Sequence, residues 1–294
     1  MQSWKVALVQ MRMSSEKALN IERGIGYIEQ AAQAGAHMIC LPELFASPYF
    51  CQREDSQLFD LAENYPHSET VQALQVVAKR THTVLIVPIF ERRAPGIYHN
   101  SAVILDSTGE VAGLYRKMHI PDDPAFYEKY YFTPGDLGFK AFDTSVGRIA
   151  VLICWDQWYP EGARLAALHG ASIIFYPTAI GWHPAEKERY GAAQHDAWRT
   201  VQRGHAIANG VYVAAANRVG REVDSVTGST LEFWGQSFIA DPQGVLLAEA
   251  SAENEEIIYA DVDVRHIETI RRNWPFLRDR RIDAYAALTN RFLD

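Results

Sequence analysis

The stretch that decides the fold is Gly147–Glu161, with the sequence GRIAVLICWDQWYPE. Its apolar part, Ile149–Ile153, is unbroken and rich in β-branched residues, which predicts a buried strand. A polar turn follows Cys154, and Pro160 then suits the first turn of a helix ending near His169. Amide groups at the start of a helix can lower the pKa of a thiol from about 8.5 toward neutrality. A reactive cysteine is therefore one interpretation, and a buried structural cysteine is the other.

Two further stretches place a charged residue after a predicted strand. Glu43 follows the apolar run Ala36–Leu41, and Lys117 follows a hairpin built around Ser107-Thr108-Gly109. A glutamate, a lysine and a cysteine at strand ends can meet at one edge of a sheet and supply base, cation and nucleophile for acyl transfer. Taken singly, Glu43 also fits a helix cap or a surface acid, and Lys117 fits a solvated strand end.

The order of the predicted elements indicates an α/β protein. The chain opens with strand Val6–Gln10 and helix Glu16–Ala34, and no Gly-x-Gly-x-x-Gly follows that strand, which excludes a dinucleotide-binding Rossmann domain. Further elements are helices Glu69–Arg80, Glu188–Gly210 and Val264–Arg272, strands Thr83–Phe90, Ala171–Pro177, Tyr212–Asn217 and Glu256–Val262, and hairpins Tyr98–Asp106/Glu110–Tyr115 and Phe233–Asp241/Val245–Ala250. The two halves share this order of elements, and the long loop His119–Gly138 is of a length typical of functional loops.

The amino-acid composition argues against several classes of function. The chain has 294 residues, 48% of them hydrophobic, and a formal net charge of −8. The acidic balance argues against nonspecific binding of nucleic acid and permits a cationic substrate. The apolar runs are too short to span a membrane, and the chain opens without a signal-peptide pattern. Three cysteines, Cys40, Cys51 and Cys154, fit a reducing cytoplasm better than a disulfide framework or a metal site.

The stretches around Glu43, Lys117 and Cys154 resemble the three signatures of the nitrilase, or carbon–nitrogen hydrolase, superfamily. The most detailed matches are Lys117–Pro124, Tyr127–Asp136 and Cys154–Trp158, and the resemblance runs from about Trp4 to about Arg265. Each signature alone is weak, but the set is specific. If the protein is not an enzyme, the alternative is a non-catalytic interaction module with the same fold.

The resemblance implies a fold and an assembly. The family fold is a four-layer αββα sandwich with pseudo-twofold symmetry, which we expect for residues 1–265. Residues 266–294 form a C-terminal extension whose amphipathic pattern (Tyr285, Leu288, Phe292) we interpret as an arm at a subunit interface of a homo-oligomer. No metal, organic cofactor, nucleic acid or membrane is expected as a partner.

The resemblance also implies roles for individual residues. Cys154 matches the nucleophile, Glu43 the general base and acid, and Lys117 the cation that binds the oxyanion together with the backbone N–H of Trp155. Glu128 matches a second glutamate close to the lysine. Because Glu43 and Glu128 would repel each other beside one lysine, we expect their titrations to be coupled.

Within the family, the resemblance is strongest to members that hydrolyse N-carbamoylputrescine, a ureido amine, in putrescine synthesis. A distal ammonium group favours carboxylate and aromatic partners. For substrate binding we therefore select Tyr49, Asp122, Tyr130, Trp155 and Trp182. Hydrolysis of an N-carbamoyl amino acid such as β-ureidopropionate, or of an ω-amide, remains open, because such substrates carry a carboxylate and Arg189 is also near the predicted pocket loops.

Overall fold

The computed structural model describes residues 3–293, which form six α-helices and sixteen strands. The helices are α1 (Lys17–Gln33), α2 (Glu69–Thr81), α3 (Glu128–Tyr131), α4 (Pro160–Leu168), α5 (Pro184–Asn209) and α6 (Val264–Asn273). The strands are β1 (Ser3–Gln10), β2 (Met38–Cys40), β3 (Glu63–Asn64), β4 (Val84–Ala94), β5 (Ile97–Leu105), β6 (Val111–Arg116), β7 (Phe142–Asp143), β8 (Arg148–Val151), β9 (Ile173–Thr178), β10 (Gly181–Trp182), β11 (Tyr212–Asn217), β12 (Val219–Val223), β13 (Thr230–Trp234), β14 (Phe238–Ala240), β15 (Leu246–Glu249) and β16 (Glu256–Asp263). Within the described range, each helix is too short or too polar to cross a membrane.

Two large sheets form the centre of the fold. The first has the order β16-β1-β2-β4-β5-β6, with β3 beside β4, and the second has the order β15-β14-β11-β9-β8-β7. In each sheet three adjacent strands are parallel, β1-β2-β4 in the first and β8-β9-β11 in the second, and antiparallel strands flank them. The shared pattern confirms the internal repeat expected from the order of the elements.

Alternating side chains on the strands define the four layers. On β1, Val6 and Leu8 join the core between the two sheets, while Ala7 and Val9 face the helix side and pack with residues of α1 and α2. On the second sheet, the core reaches alanines of α4 and α5, such as Ala166 and Ala206. This period of two is what a sheet covered on both faces requires. The αββα sandwich expected from the sequence is therefore confirmed.

Three local predictions need correction. The expected strand Phe233–Asp241 is two strands in different sheets, because the chain turns at Gly235 and Gln236, whose φ angles are +59° and +50°. Its first part, β13, pairs instead with β12, a hairpin that the sequence did not reveal. Helix α5 begins at Pro184 rather than Glu188, since the ring of His183 accepts a hydrogen bond from the N–H of Ala185. The loop His119–Gly138 contains one helical turn, α3.

Candidate active site

Strand ends bring Glu43, Lys117 and Cys154 together. Glu43 follows β2, Lys117 directly follows β6, and Cys154 lies just beyond β8. Two successive antiparallel pairings, β4 with β5 and β5 with β6, return β6 to the direction of β2, so both strands end at the same edge of the sheet. Cys154 belongs to the other large sheet, and the charges of Glu43 and Lys117 act on its thiol. The three side chains therefore converge as expected, but from two sheets and not at one edge of a single sheet.

Lys117 forms the centre of a buried cluster of charges. Its Nζ lies 2.8 Å from Oε1 of Glu43 and 2.6 Å from Oε2 of Glu128, and all three side chains are buried. Asn100 donates a second hydrogen bond, of 2.7 Å, to Oε1 of Glu43. The other oxygen of Glu43, Oε2, is buried and has no hydrogen-bond partner among the described residues. The two carboxylates keep the pKa of Lys117 well above its usual value, although burial opposes this.

Cys154 is held in an unusual backbone conformation at the start of a 3₁₀ turn, Cys154–Trp158. Its φ angle is +43°, in the left-handed region that residues other than glycine rarely adopt. Burial raises the pKa of the thiol well above its usual value, and the charge of Glu43 adds to this, while Lys117 and a backbone hydrogen bond involving Ala179 oppose it. The sequence-based expectation of a lowered pKa is therefore wrong, because the thiol is buried and lies near the charges of Glu43 and Glu128.

Glu128, on the first turn of α3, titrates differently from an ordinary glutamate. Burial raises its pKa to about 7, the charge of Glu43 contributes in the same direction, and Lys117 opposes both. Its Oε1 accepts a 2.7 Å hydrogen bond from the hydroxyl of Tyr49. The result agrees with the coupled titration expected for two carboxylates that share one lysine.

Asp156 is a buried residue of the site that the sequence analysis missed. One oxygen accepts hydrogen bonds from the N–H of Ile153 and the hydroxyl of Tyr115, and the other accepts from the N–H of His119. The carboxylate thus connects the turn that carries Cys154 to the segment that follows Lys117. An acid two residues beyond a cysteine at a strand end is the signal that could have identified it, because such a side chain can cap the turn.

A cavity of about 440 Å³ opens next to these residues, a size typical of small-molecule sites. Cys154 and Glu128 lie in its wall. Much of the remaining wall is aromatic, formed by Phe126, Trp155, Trp158 and Trp234. Trp155 is the one predicted substrate-binding residue among those that line the cavity.

The other four predicted substrate-binding residues lie elsewhere. Tyr49 is buried behind Glu128, to which it donates its hydroxyl. Tyr130 packs against Phe59 and is partly exposed to solvent, and Asp122 is an exposed neighbour of the cavity residue Asp123. Trp182 donates its indole N–H to the backbone of α5 at Gly191. Side-chain direction in these irregular segments depends on tertiary contacts that the sequence pattern does not reveal.

The charged groups of the cavity wall are acidic. Asp123 and Glu186 line it in addition to Glu128, and none of the lining residues in the described part of the chain is a lysine or an arginine. Gln194, also in the wall, donates a 3.4 Å hydrogen bond to Glu186. Residues 3–293 contain no group of three or more His, Cys, Asp or Glu side chains arranged to hold a metal ion.

A buried glutamate–lysine pair next to a cysteine at the edge of an αββα sandwich is the arrangement expected for a hydrolase of carbon–nitrogen bonds. Residues 5–272 match the carbon-nitrogen hydrolase family, and the chain belongs to this family. It is therefore an amidohydrolase of small molecules.

The similar proteins cover nearly the whole chain. A carbon-nitrogen hydrolase from Helicobacter pylori G27 has 46% identical residues and a TM-score of 0.94, over 99% of this chain and 100% of that chain. The N-carbamoylputrescine amidase of Solanum lycopersicum is 43% identical over 96% of this chain and 94% of its own length. The citrullinase of Francisella tularensis is 40% identical over 98% of this chain and 99% of its own length.

Proposed function

We propose that the protein hydrolyses N-carbamoylputrescine to putrescine, carbon dioxide and ammonia. The observation that carries the proposal is the acidic and aromatic wall of the cavity, with Asp123 and Glu186 on it and no lining lysine or arginine among the described residues. Such a wall suits a substrate whose distal end is an ammonium group, since carboxylates and aromatic faces are the usual partners of organic cations. The similarity to the tomato amidase supports the same substrate.

In the proposed mechanism Cys154 attacks the ureido carbonyl carbon. The raised pKa of Cys154 means that the thiol is protonated at rest, so a base must remove its proton as the S–C bond forms. Glu43 has this role because its Oε2 is buried and free of other partners. Lys117 and the backbone N–H of Trp155 stabilise the oxyanion, and removing one such donor typically costs about 3 kcal/mol of transition-state stabilisation.

Collapse of the tetrahedral intermediate breaks one C–N bond and leaves a thiocarbamate on Cys154. Glu43 gives its proton to the leaving nitrogen, which departs as ammonia, and then takes a proton from the water that attacks the thiocarbamate carbon. The C–S bond then breaks, and the proton on Glu43 returns to the sulfur of Cys154. The second C–N bond is lost when the released carbamate decomposes to amine and carbon dioxide. Glu128 holds Lys117 at 2.6 Å and keeps the ammonium group between the two carboxylates throughout.

We propose that this reaction takes place in the cytoplasm, as part of putrescine synthesis, in a homo-oligomer. All three cysteines are free and buried, which suits a reducing compartment. The sandwich ends with β16 at Asp263, and residues beyond α6 expose Ile282, Leu288 and Phe292. We assign residues 1–265 to the hydrolase domain and residues 266–294 to an arm at the subunit interface.

A comparison of ureido substrates tests the assignment. We expect kcat/KM to be highest for N-carbamoylputrescine, lower for citrulline, whose distal end also carries a carboxylate, and lowest for N-carbamoyl-β-alanine. A preference for either acid would overturn the putrescine assignment while leaving the amidohydrolase class intact.

A substitution in the cavity wall tests where the ammonium group of the substrate binds. Glu186→Gln should raise KM for N-carbamoylputrescine about tenfold, which corresponds to about 1.4 kcal/mol, with little change in kcat. Glu188→Gln is the matched control, because Glu188 is exposed on the same helix and does not line the cavity. Equal KM values for the two variants would show that the ammonium group is bound elsewhere.

A further inference from the structure

A buried arginine contacts the backbone segment that carries Glu43. This arginine is not part of the cluster formed by Glu43, Lys117, Glu128 and Cys154. Arg218 lies between β11 and β12, and its side chain is fully buried. Its Nη2 donates to the backbone carbonyl of Glu43 at 2.7 Å and to that of Leu44 at 3.1 Å. The guanidinium group thus binds the backbone of Glu43, the proposed base, and of the residue after it.

The backbone that Arg218 holds is in an unfavourable conformation. Leu44 has a φ angle of +50°, which leucine rarely adopts without support from its surroundings. The guanidinium group directs Nη2 to these two carbonyls and Nη1 to the carboxylate of Glu222, and a lysine ammonium group lacks this fixed planar fork. The chemistry at this position therefore requires an arginine and not only a positive charge.

The same arginine is connected to the second carboxylate of the site. Nη1 of Arg218 lies 2.7 Å from Oε1 of Glu222, and Oε2 of Glu222 accepts a 2.6 Å hydrogen bond from the N–H of Tyr49. The hydroxyl of Tyr49 in turn donates to Glu128. The guanidinium carbon also lies 5.9 Å from the centre of the Tyr49 ring and 5.2 Å from that of Phe233.

We infer that Arg218, with Glu222, is a positioning residue that fixes the carboxylates of Glu43 and Glu128 within hydrogen-bond distance of Lys117. A general ion pair for stability would need only one partner for the arginine. Arg218 instead directs one nitrogen to the backbone of Glu43 and the other to the residue that orients Tyr49. The inference rests on the proposed function, because it assigns a task to the groups that the proposed mechanism uses.

Arg218→Lys tests the inference, because it keeps the charge and removes the fork. We expect kcat for N-carbamoylputrescine to fall about 100-fold, the loss typical of a displacement of about 1 Å in a catalytic group, with KM nearly unchanged. Arg271→Lys is the matched control: Arg271 also donates through two nitrogens to a backbone carbonyl, that of Asn209 at the end of α5. The control should retain full turnover.

A second readout does not depend on the substrate. Cys154 faces the charges of Glu43, Glu128 and Lys117, and the charge of Glu43 raises its pKa. The pH profile of alkylation by iodoacetamide, corrected with Cys154→Ala for labelling of Cys40 and Cys51, should therefore shift to lower pH when Arg218→Lys displaces Glu43. A wild type that leaves N-carbamoylputrescine intact would refute the proposed substrate, and the alkylation profile would still decide the role of Arg218.

Glu222→Gln keeps the test decisive if Arg218→Lys does not fold. Its amide oxygen can still accept one hydrogen bond, so we expect a smaller loss of kcat and a smaller shift of the alkylation profile in the same directions. A folded Arg218→Lys or Glu222→Gln variant with the kcat and the alkylation profile of the wild type would overturn the inference. A loss of thermal stability alone, with both readouts unchanged, would also overturn it and would leave only a structural role.

Discussion

At the residue scale, the proposed chemistry depends on how burial changes the pKa values of Cys154 and Glu128. The thiol is made a weaker acid by its surroundings, and burial moves the pKa of Glu128 to about 7. The sulfur of Cys154 therefore carries a proton near neutral pH. Attack by Cys154 and proton transfer to a base have to be concerted, which makes the placement of Glu43 decisive.

Glu128→Gln should change how stability depends on pH. A folded-state pKa of about 7, above the unfolded value of about 4.3, gives a contribution that is complete below about pH 4.3 and is lost as pH rises to about 7. The free energy of unfolding of the wild type, measured by denaturant titration, should therefore decrease relative to that of Glu128→Gln between pH 5 and pH 8.

Glu63→Gln provides the control with the opposite sign. Hydrogen bonds from Thr70 and Ser68 lower the pKa of Glu63 although burial opposes them, so its contribution is present above about pH 4.3 and is lost only on acidification. The difference between wild type and Glu63→Gln should stay constant from pH 5 to pH 8. A similarly constant difference for Glu128→Gln would contradict the raised pKa.

The residues to which the proposed mechanism assigns the chemistry could be selected from the sequence, and the residues that hold them in place could not. Glu43, Lys117 and Cys154 each follow a strand that reads clearly as an apolar run or a hairpin, and matching stretches identified Glu128. Asp156 and Arg218 also follow strands, but a lone polar residue there looks like the start of an ordinary turn. Their roles come from hydrogen bonds to residues far away in the chain, such as the 2.7 Å bond from Arg218 to the carbonyl of Glu43.

At the element scale, strand ends set the distances in the site. The carbonyl of Lys117 accepts a 2.8 Å hydrogen bond from the N–H of Gly135, so the loop after α3 fixes the backbone just beyond β6. A Cβ atom at Gly135 would lie 2.2 Å from the carbonyl oxygen of Arg116, which is too close for any residue but glycine. The glycine is therefore required where the loop meets the strand.

Gly135→Ala should reduce turnover by displacing Lys117. Moving the backbone of Arg116 and Lys117 enough to admit a methyl group should lower kcat by about 10-fold to 100-fold. Gly26→Ala is the control, since a Cβ at this exposed position in α1 meets no atom within 4 Å and should stabilise the helix by about 1 kcal/mol. The kcat of Gly135→Ala is measured together with that of Gly26→Ala. A kcat equal to that of the wild type would contradict the claim that the loop after α3 holds Lys117 in place.

Strands that are buried on both faces could be predicted from the sequence. The place where the chain passes from one sheet to another could not. Tyr212–Asn217 was predicted with its observed bounds because each of its residues is buried and apolar residues dominate it. The segment Phe233–Asp241 was predicted to be one strand, yet the chain leaves one sheet at Gly235 and enters another. Gly235 packs against the backbone of Ser251 and the side chain of Gln10, contacts that no local pattern indicates.

At the scale of the whole molecule, the C-terminal segment beyond α6 leaves most of its large apolar side chains exposed in the single chain. Six large apolar side chains beyond α6 are between 47% and 84% exposed, namely Trp274, Phe276, Ile282, Leu288, Phe292 and Leu293, while Leu277 and Tyr285 are less exposed. An isolated exposed leucine needs no explanation, but a series of this kind supports the proposed subunit interface, because large exposed apolar patches often mark interaction sites.

Charges on this segment should break the proposed oligomer. The double variant Ile282→Glu/Leu288→Glu should have a lower molar mass than the wild type in light scattering coupled to size-exclusion chromatography. Val226→Glu is the control, because Val226 is 72% exposed on the turn between β12 and β13, away from the C-terminal segment. A wild type that is monomeric at micromolar concentration, or a double variant of unchanged mass, would contradict the proposed interface.

The central claim is that Cys154 hydrolyses the ureido group of N-carbamoylputrescine. The most direct test measures ammonia released from this substrate by the wild type and by Cys154→Ala, with folding of both proteins verified by thermal unfolding. We expect one ammonia for each putrescine formed by the wild type and none above background from the variant. Ammonia release that persists in folded Cys154→Ala would contradict the assigned nucleophile, and a wild type without activity would contradict the assigned substrate.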